Sequence, residues 1–500
     1  MPREPVLKID ESYADLIESD APARREPILQ PGRNCWRVEA APRAAVLVDG
    51  ASYFGALEAT LRKARRSVLI AGWDFDSRIR LRQDAPESES PQLGEFLLQL
   101  VEANPQLEVR ILVWSVAVVH APSAPTELLI GREWLKHPRI TLKLDNTQPL
   151  YAAHHQKIVC VDDKLAFVGG IDLTVGRWDR DPHAPEDPAR LDPDGERYDP
   201  VHDVQMAVDG DAARAVAELF RARWTVATGE TSRPEVVAHD PWPDHVAPDF
   251  RDAFVGVART MPGYAGRSEV TEVATLNTDA LLAAQRIVYI EAQYLTTPAI
   301  GRALIRLLAK PDGPEVVVVM TRASRGFVEH YAMGSNRDRL IRRLKRSDHH
   351  GRLRVCFPVV TDQKGEEQHV MVHAKVIIVD DVFMRIGSSN LNNRSIALDT
   401  ECDLAIEGMR PAHRDAIARV RDTLMAEHVG ADAATLRDAV ERHGSYVDAL
   451  DALGHDGRRL HCFEGWRTKG PTRPIFGTFL LDPRRPFWPS RLRRKPKRIR

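Results

Sequence analysis

Short apolar runs rich in Val, Ile and Leu alternate along this chain with longer segments whose apolar positions recur at helical spacing. The runs 67–75 (SVLIAGWDF), 107–115 (LEVRILVWS) and 139–144 (RITLKL) predict buried strands, as do 287–295 (IVYIEAQYL), 314–322 (PEVVVVMTR) and 352–357 (RLRVCF). KIVCVD (157–162) and KVIIVD (375–380) predict two more. Each is followed by a strand that ends in small residues, LAFVGG (165–170) and FMRIGSS (383–389). Residues 56–65, 278–286 and 300–308 carry helical periodicity, and 431–453 predicts a terminal amphipathic helix. Such alternation specifies an α/β chain with a mostly buried sheet.

The predicted strands form two sets in the same order, and a polar pattern repeats with them. It is His-x-Lys-x-x-x-x-Asp: His155, Lys157 and Asp162, then His373, Lys375 and Asp380. Gly169 and Gly387 each lie 14 residues after their His, and Asp172 and Asn390 each lie 17 after. Equal flanking offsets in both copies make chance a poor explanation. Packing alone does not set a His and a Lys on one strand face twice, because residues two apart in a strand share a face. The expected organisation is an N-terminal extension (1–44), a first half (45–230), a Pro- and acid-rich linker (231–248), a second half (249–430), and a C-terminal helix with a basic tail (431–500). The Pro- and Asp-rich stretch 179–200 is either a lid beside the site or a solvated insertion.

Composition narrows the chemistry. The 500 residues are 43% hydrophobic, which excludes a disordered polymer, and 70 Lys and Arg oppose 71 Asp and Glu, which argues against a general nucleic-acid binder. Lys accounts for 13 of those basic residues, so a Lys in a repeated motif is informative. Five cysteines without a CxxC argue against a disulfide scaffold and a structural zinc site. The first 20 residues lack a signal-peptide core, and no apolar run approaches the roughly 18 residues of a membrane span. The expectation is a cytoplasmic or peripheral membrane protein, or one exported by a signal-peptide-independent route. There is no GxxxxGK[ST] loop and no GxSxG elbow.

Four blocks resemble the phospholipase D superfamily, and phospholipases D proper in particular. They are AHHQKIVCVDDKLAFVGGIDLTVGRWD (153–179), HDVQMAVDGDAARAVAELFRARW (202–224), YIEAQYL (289–295) and VHAKVIIVDDVFMRIGSSNLNNRSIALDTECDLAI (372–406). The resemblance spans about residues 45–430. It implies two tandem α/β/α sandwich domains in pseudo-twofold arrangement with one shared active site, hence a monomer that is an intramolecular pseudo-dimer.

Phosphodiester cleavage needs a nucleophile, an acid for the leaving alcohol and cations on the phosphoryl oxygens. Two His and two Lys supply all three, so the scheme requires neither metal nor cofactor. The residues themselves do not say which His attacks; the resemblance implies His155 as nucleophile, forming a phosphohistidine, and His373 as general acid. Lys157 and Lys375 would hold the non-bridging oxygens. Asn390 matches the amide that donates to phosphate, whereas Asp172, its counterpart, is expected not to be a ligand. Asp203 and Glu401 match the positions that orient the two histidines. Asp162 and Asp380 complete the catalytic motif set, fixing the motif turn in preference to doing chemistry. His154, Glu291 and Tyr294 are candidates for substrate contact; Ala292 departs from the Asn usual in the family's inter-motif strand.

The implied activity is hydrolysis of glycerophospholipids to phosphatidic acid and free headgroup, with transphosphatidylation. The alternatives are a cardiolipin synthase-like phosphatidyltransferase, then a nucleic-acid phosphodiesterase, then an inactive lipid-binding scaffold. The expected partner is phospholipid at a membrane surface, not nucleic acid. The basic tail, with Phe487 and Trp488 at its start, either binds anionic lipid or solubilises the chain.

Overall fold

A computed structural model describes residues 26–114, 133–149, 152–322, 327–454, 457–463 and 482–483. The basic tail with Phe487 and Trp488, and most of the stretch 1–44, lie outside the described residues.

Fourteen strands carry the architecture, seven in each half. The first set is β1 (Arg37–Val48), β2 (Ser67–Gly72), β3 (Glu108–Trp114), β4 (Ile140–Asp145), β5 (Ile158–Val161), β6 (Leu165–Gly169) and β7 (Val204–Asp209). The second is β8 (Phe250–Met261), β9 (Ile287–Ala292), β10 (Glu315–Met320), β11 (Leu353–Thr361), β12 (Lys375–Val379), β13 (Phe383–Gly387) and β14 (Glu401–Glu407). The first half pairs in the order β4-β3-β2-β5-β6-β7-β1. The second repeats it as β11-β10-β9-β12-β13-β14-β8. In each half the first three strands of that order are parallel and the rest antiparallel. Strands β1 and β8 are equivalent and pair antiparallel, with Ala41 opposite Ala253, so the two sheets join about an approximate twofold axis. Strand β1 starts at Arg37, inside the expected extension 1–44. Its stretch RVEAAPRA lacks a clear apolar alternation, because its buried positions, Val38, Ala41 and Ala44, lie three apart instead of two.

Helices α1 (Asp49–Arg62) and α2 (Leu93–Ala103) cover one face of the first sheet, and α3 (Gly210–Thr228) covers the other. In the second half α4 (Glu272–Leu282), α5 (Pro298–Leu308) and α6 (Phe327–Ser347) cover one face, and α7 (Pro411–Glu427) the other. Each half is therefore an α/β/α sandwich. The helices lie where the parallel strands need crossovers. One apolar cluster runs through both halves, from Phe220 and Trp224 of α3 to Leu404 of β14 and Leu424 of α7. Burial of each such side chain contributes about 1.5–3 kcal/mol, so the halves are joined by packing as well as by sheet.

Where one terminal helix was expected over 431–453 there are two, α8 (Ala433–His443) and α9 (Tyr446–Ala452). Gly444 takes the left-handed conformation that ends α8, and Ser445 caps α9 by accepting from Asp448 N. One disulfide joins Cys356 of β11 to Cys462, which faces it on the strand Arg458–Cys462. A single cross-strand bond is no scaffold, but it goes beyond what five scattered cysteines predict. No helix of the described residues is long and apolar enough to cross a membrane.

Candidate active site

The histidines stand just ahead of their strands, since β5 begins at Ile158 and β12 at Lys375. Each extended lead-in pairs with the opposite half. His155 N donates to Thr400 O at 3.1 Å and Thr400 N donates to Ala153 O at 3.0 Å. Across the axis, His373 N donates to His202 O at 2.8 Å, and Met371–Val372 runs parallel to Val201–His202. The segment opposite each histidine ends on an acid. His155 Nδ1 thus lies 2.9 Å from Glu401 Oε2, and His373 Nδ1 lies 2.6 Å from Asp203 Oδ2. Each ring is oriented by the other half's carboxylate, leaving its Nε2 for chemistry.

Around this cross the two halves differ. Lys157 Nζ is 3.1 Å from Asp172 Oδ2, and Asp172 Oδ1 also accepts from Trp73 N at 2.9 Å. Asp172 is thereby turned onto Lys157 and the backbone. Lys375 donates to the carbonyl of His373, and no ion pair is formed by it among the described residues. Asn390, the counterpart of Asp172, is buried and its Oδ1 has no hydrogen-bond partner among the described residues. Gly170 and Ser388 are also equivalent. A Cβ at Gly170 would collide with the Asp203 carboxylate, whereas the Ser388 hydroxyl donates to Glu401 Oε2 at 2.5 Å.

Burial and nearby cations set the protonation states. Burial pushes His155 well below its ordinary pKa, and Lys157 and Lys375 add to the effect. Burial does the same to His373, reinforced by Lys375, Arg177 and Lys157. Lysines of both halves act on both rings, which is the electrostatic sign of one shared site. Burial raises Asp203 against the pull of Lys375, and raises Glu401 well up against the hydrogen bond from Ser388. With the acids pushed up and the imidazoles pushed down, burial favours the uncharged form of every member of the two pairs. Lys375 is pushed down to about 7 by burial, with Asp203 opposing.

Residues 60–240 match the family model "Phospholipase D", and residues 278–421 match "Cardiolipin synthase, PLD-like domain". The chain is 25% identical over 426 residues to phospholipase D A of Dictyostelium discoideum, covering 72% of this chain and 32% of that one. It is 22% identical over 521 residues to phospholipase D2 of Bos taurus, covering 80% and 55%. The chain belongs to the phospholipase D superfamily. It spans about a third to just over half the length of these curated relatives. The crystal structure of phosphatidylserine synthase from Haemophilus influenzae Rd KW20 shares the fold, with TM-score 0.51 and 16% identity over 76% of this chain and 86% of that one.

In this phospholipase D fold several predicted site residues take other parts. Asp162 accepts from Arg65 N, Arg66 N and Ser67 N, each at 2.7 Å, and Asp380 accepts from Gln285 N, Arg286 N and Ile287 N. Both sit at the far end of the motif strand with left-handed backbone, φ 56° and 53°, which Asp tolerates in a tight turn. They leave the catalytic set and become anchors of the sheet. His154 is fully buried, with Nδ1 3.0 Å from Asp145, and so is closed to substrate. Glu291, also fully buried, is held by His202, His428 and Tyr289 and is no substrate contact either. The Tyr294 hydroxyl accepts from Gln293, and the bridge Leu295–Leu391 keeps that loop beside Asn390.

The structure adds Arg177, which the sequence offered only inside the GRWD run. Its Nε is buried without a hydrogen-bond partner among the described residues, and its charge acts on His373, Asp203 and Lys375. The stretch 179–200 mixes buried side chains, His183, Asp187 and Arg190, with exposed ones, among them Asp194 and Glu196. Arg190 is buried and binds Asp179, Ala184 O, Pro185 O and Tyr198 O, which straps the loop onto itself.

Proposed function

We propose that this chain is a phospholipase D-type phosphodiesterase that hydrolyses glycerophospholipids to phosphatidic acid and free headgroup. The observation that carries this reading is the pair of crosswise histidine–carboxylate contacts, His155–Glu401 and His373–Asp203, beside Lys375, which forms no ion pair among the described residues. His155, neutral at rest, attacks phosphorus through Nε2. The P–O bond to the headgroup breaks as His373 passes the proton on its Nε2 to the leaving oxygen while its Nδ1 takes up the proton held by Asp203, which leaves a phosphatidyl-histidine. His373 then takes a proton from water, whose oxygen attacks phosphorus and releases His155. An alcohol in place of water gives transfer. Lys375 and Asn390 stabilise the charge on the non-bridging oxygens, and Lys157 acts with part of its charge balanced by Asp172.

Relatives named phospholipase D support a phospholipid substrate. The near-zero net charge weighs against nucleic acid. A single chain already supplies both motifs, which supports a monomer. The second reading is a phosphatidyltransferase whose acceptor is another lipid alcohol, favoured by the family model matched over 278–421.

Headgroup release from mixed phospholipid vesicles tests both, using wild type, His155→Ala and His373→Ala, with ethanol as acceptor. Release and phosphatidylethanol formation that both variants lose are expected. Formation of a dimeric lipid from phosphatidylglycerol, with one glycerol released per dimer and no phosphatidic acid, would move the chain to the transferase reading. Inactivity on every lipid would overturn both.

A further inference from the structure

Four side chains with no part in the phosphoryl chemistry converge behind Asp203. They are Asp49 at the start of α1, His183 in the strapped loop, His202, and Glu427 at the end of α7, all buried. His183 Nε2 lies 3.3 Å from Asp49 Oδ2 and 3.0 Å from Glu427 Oε1. His202 Nδ1 lies 3.2 Å from Asp49 Oδ1 and 3.0 Å from the same Glu427 oxygen. One donor atom from each of the four falls within 4.8 Å of all the others. Two imidazole nitrogens and two carboxylate oxygens around one point are a donor set for a borderline divalent cation such as zinc.

The surroundings fit the same conclusion. The far nitrogen of each ring is held by a further carboxylate: His183 Nδ1 is 2.9 Å from Asp179 Oδ2, and His202 Nε2 is 3.0 Å from Glu291 Oε2. A ring that donates its far N–H to a carboxylate presents a lone pair at the other nitrogen, as a metal ligand must. Charge points the same way. Four buried carboxylates surround the two rings: Asp49, Asp179, Glu291 and Glu427. Arg190 pairs with Asp179, and Arg458 with Glu427. With both imidazoles neutral, two negative charges remain, which one divalent cation balances. A cavity of about 480 Å³, lined by Asp49, Glu427, Ser52, Arg180, Asp181 and Asp432, reaches the cluster and offers an entry path.

We propose that Asp49, His183, His202 and Glu427 bind a divalent transition-metal ion, zinc by donor type, that fastens the two halves together behind the active site. Three ligands come from the first half and one from the second. The ion touches no substrate. Its effect passes through position: Asp49 N donates to Asp203 O at 2.8 Å, and Asp203 N donates to Asp49 Oδ1 at 3.4 Å. The inference does not depend on the substrate assigned above, and it leaves the motif chemistry metal-free.

The test is metal content of the full chain. Protein stripped with a chelator, equilibrated with zinc chloride and desalted is expected to retain one zinc per chain by elemental analysis. His183→Gln and Glu427→Gln are expected to retain about tenfold less. Chelation should lower the thermal midpoint of the wild type, and zinc should restore it. Cobalt(II) in the wild-type chain should show tetrahedral visible absorption without a thiolate charge-transfer band, a readout that survives if the variants fail to fold. Wild-type retention below a tenth of an equivalent, with no chelator effect on melting, would overturn the proposal and leave two ring protons as the balancing charges. Equal retention by folded variants would overturn the ligand assignment.

Discussion

The two halves of the site are built on one plan and finished differently. In the first, Gly170 leaves room for a short acid, Asp203, and Lys157 is matched by Asp172. In the second, Ser388 donates to a longer acid, Glu401, while Asn390 replaces the carboxylate and Lys375 has no ion-pair partner among the described residues. One half thus offers a balanced lysine and the other a lysine whose charge waits for an anion. Duplication supplied two equal sets of groups; a mechanism with distinct nucleophile and acid needs them unequal.

Removing either histidine should have the largest effect. His155→Asn and His373→Asn are each expected to lower kcat by about 10⁴-fold on natural lipids. They should part on a p-nitrophenyl phosphodiester, whose leaving group needs no proton: the acid variant recovers and the nucleophile variant does not. Recovery of His155→Asn instead would exchange the two roles.

Converting the second half toward the first is the next step down. Asn390→Asp sets a carboxylate beside the phosphate and Lys375, and should cost about 10²–10³-fold in kcat/KM. Asp172→Asn should cost far less. Equal losses from the two substitutions in steady-state kinetics would erase the proposed asymmetry.

A pH profile probes the same contrast more gently. Lys375 titrates near 7 in the folded chain. The kcat/KM of the free enzyme should therefore fall as pH rises through about 7, and Lys375→Arg should move that limb upward. Stability should run the other way. Between about 7 and the unfolded lysine value of roughly 10.4, the unfolded chain binds a proton that the folded one lacks, so this group's contribution rises with pH. Chemical denaturation at pH 7 and 9 in wild type and Lys375→Met reads the difference.

The smallest effect on chemistry belongs to the motif aspartates. Asp162→Ala and Asp380→Ala each orphan three backbone N–H groups. Each should destabilise by about 3 kcal/mol in urea titration with kcat nearly unchanged per folded molecule. A larger loss of kcat than of stability would return them to the active site.

The sheet was legible because buried parallel strands such as EVVVVM write a continuous apolar run that little else imitates. The motif was legible because it occurs twice. What could not be read was set by contacts between the halves. Nothing in the order of residues says that Glu401 serves His155, or that Asp49, His183, His202 and Glu427 meet, since they share no ligand spacing. Glu291 did leave a trace: a carboxylate inside the apolar strand IVYIEA must have partners, and they proved to be His202, His428 and Tyr289 instead of substrate. Strand β1 hid its start because the buried positions there lie three apart instead of two.

The diagonal contacts bear on how such a protein can be cut and recombined. A fragment holding one half would carry a histidine without its acid and an acid without its histidine. A chain assembled from two copies of one half would have mismatched diagonals, a short acid where a long one is required or the reverse. The transferable unit is therefore His155 with Glu401, or His373 with Asp203, each drawn from both ends of the chain.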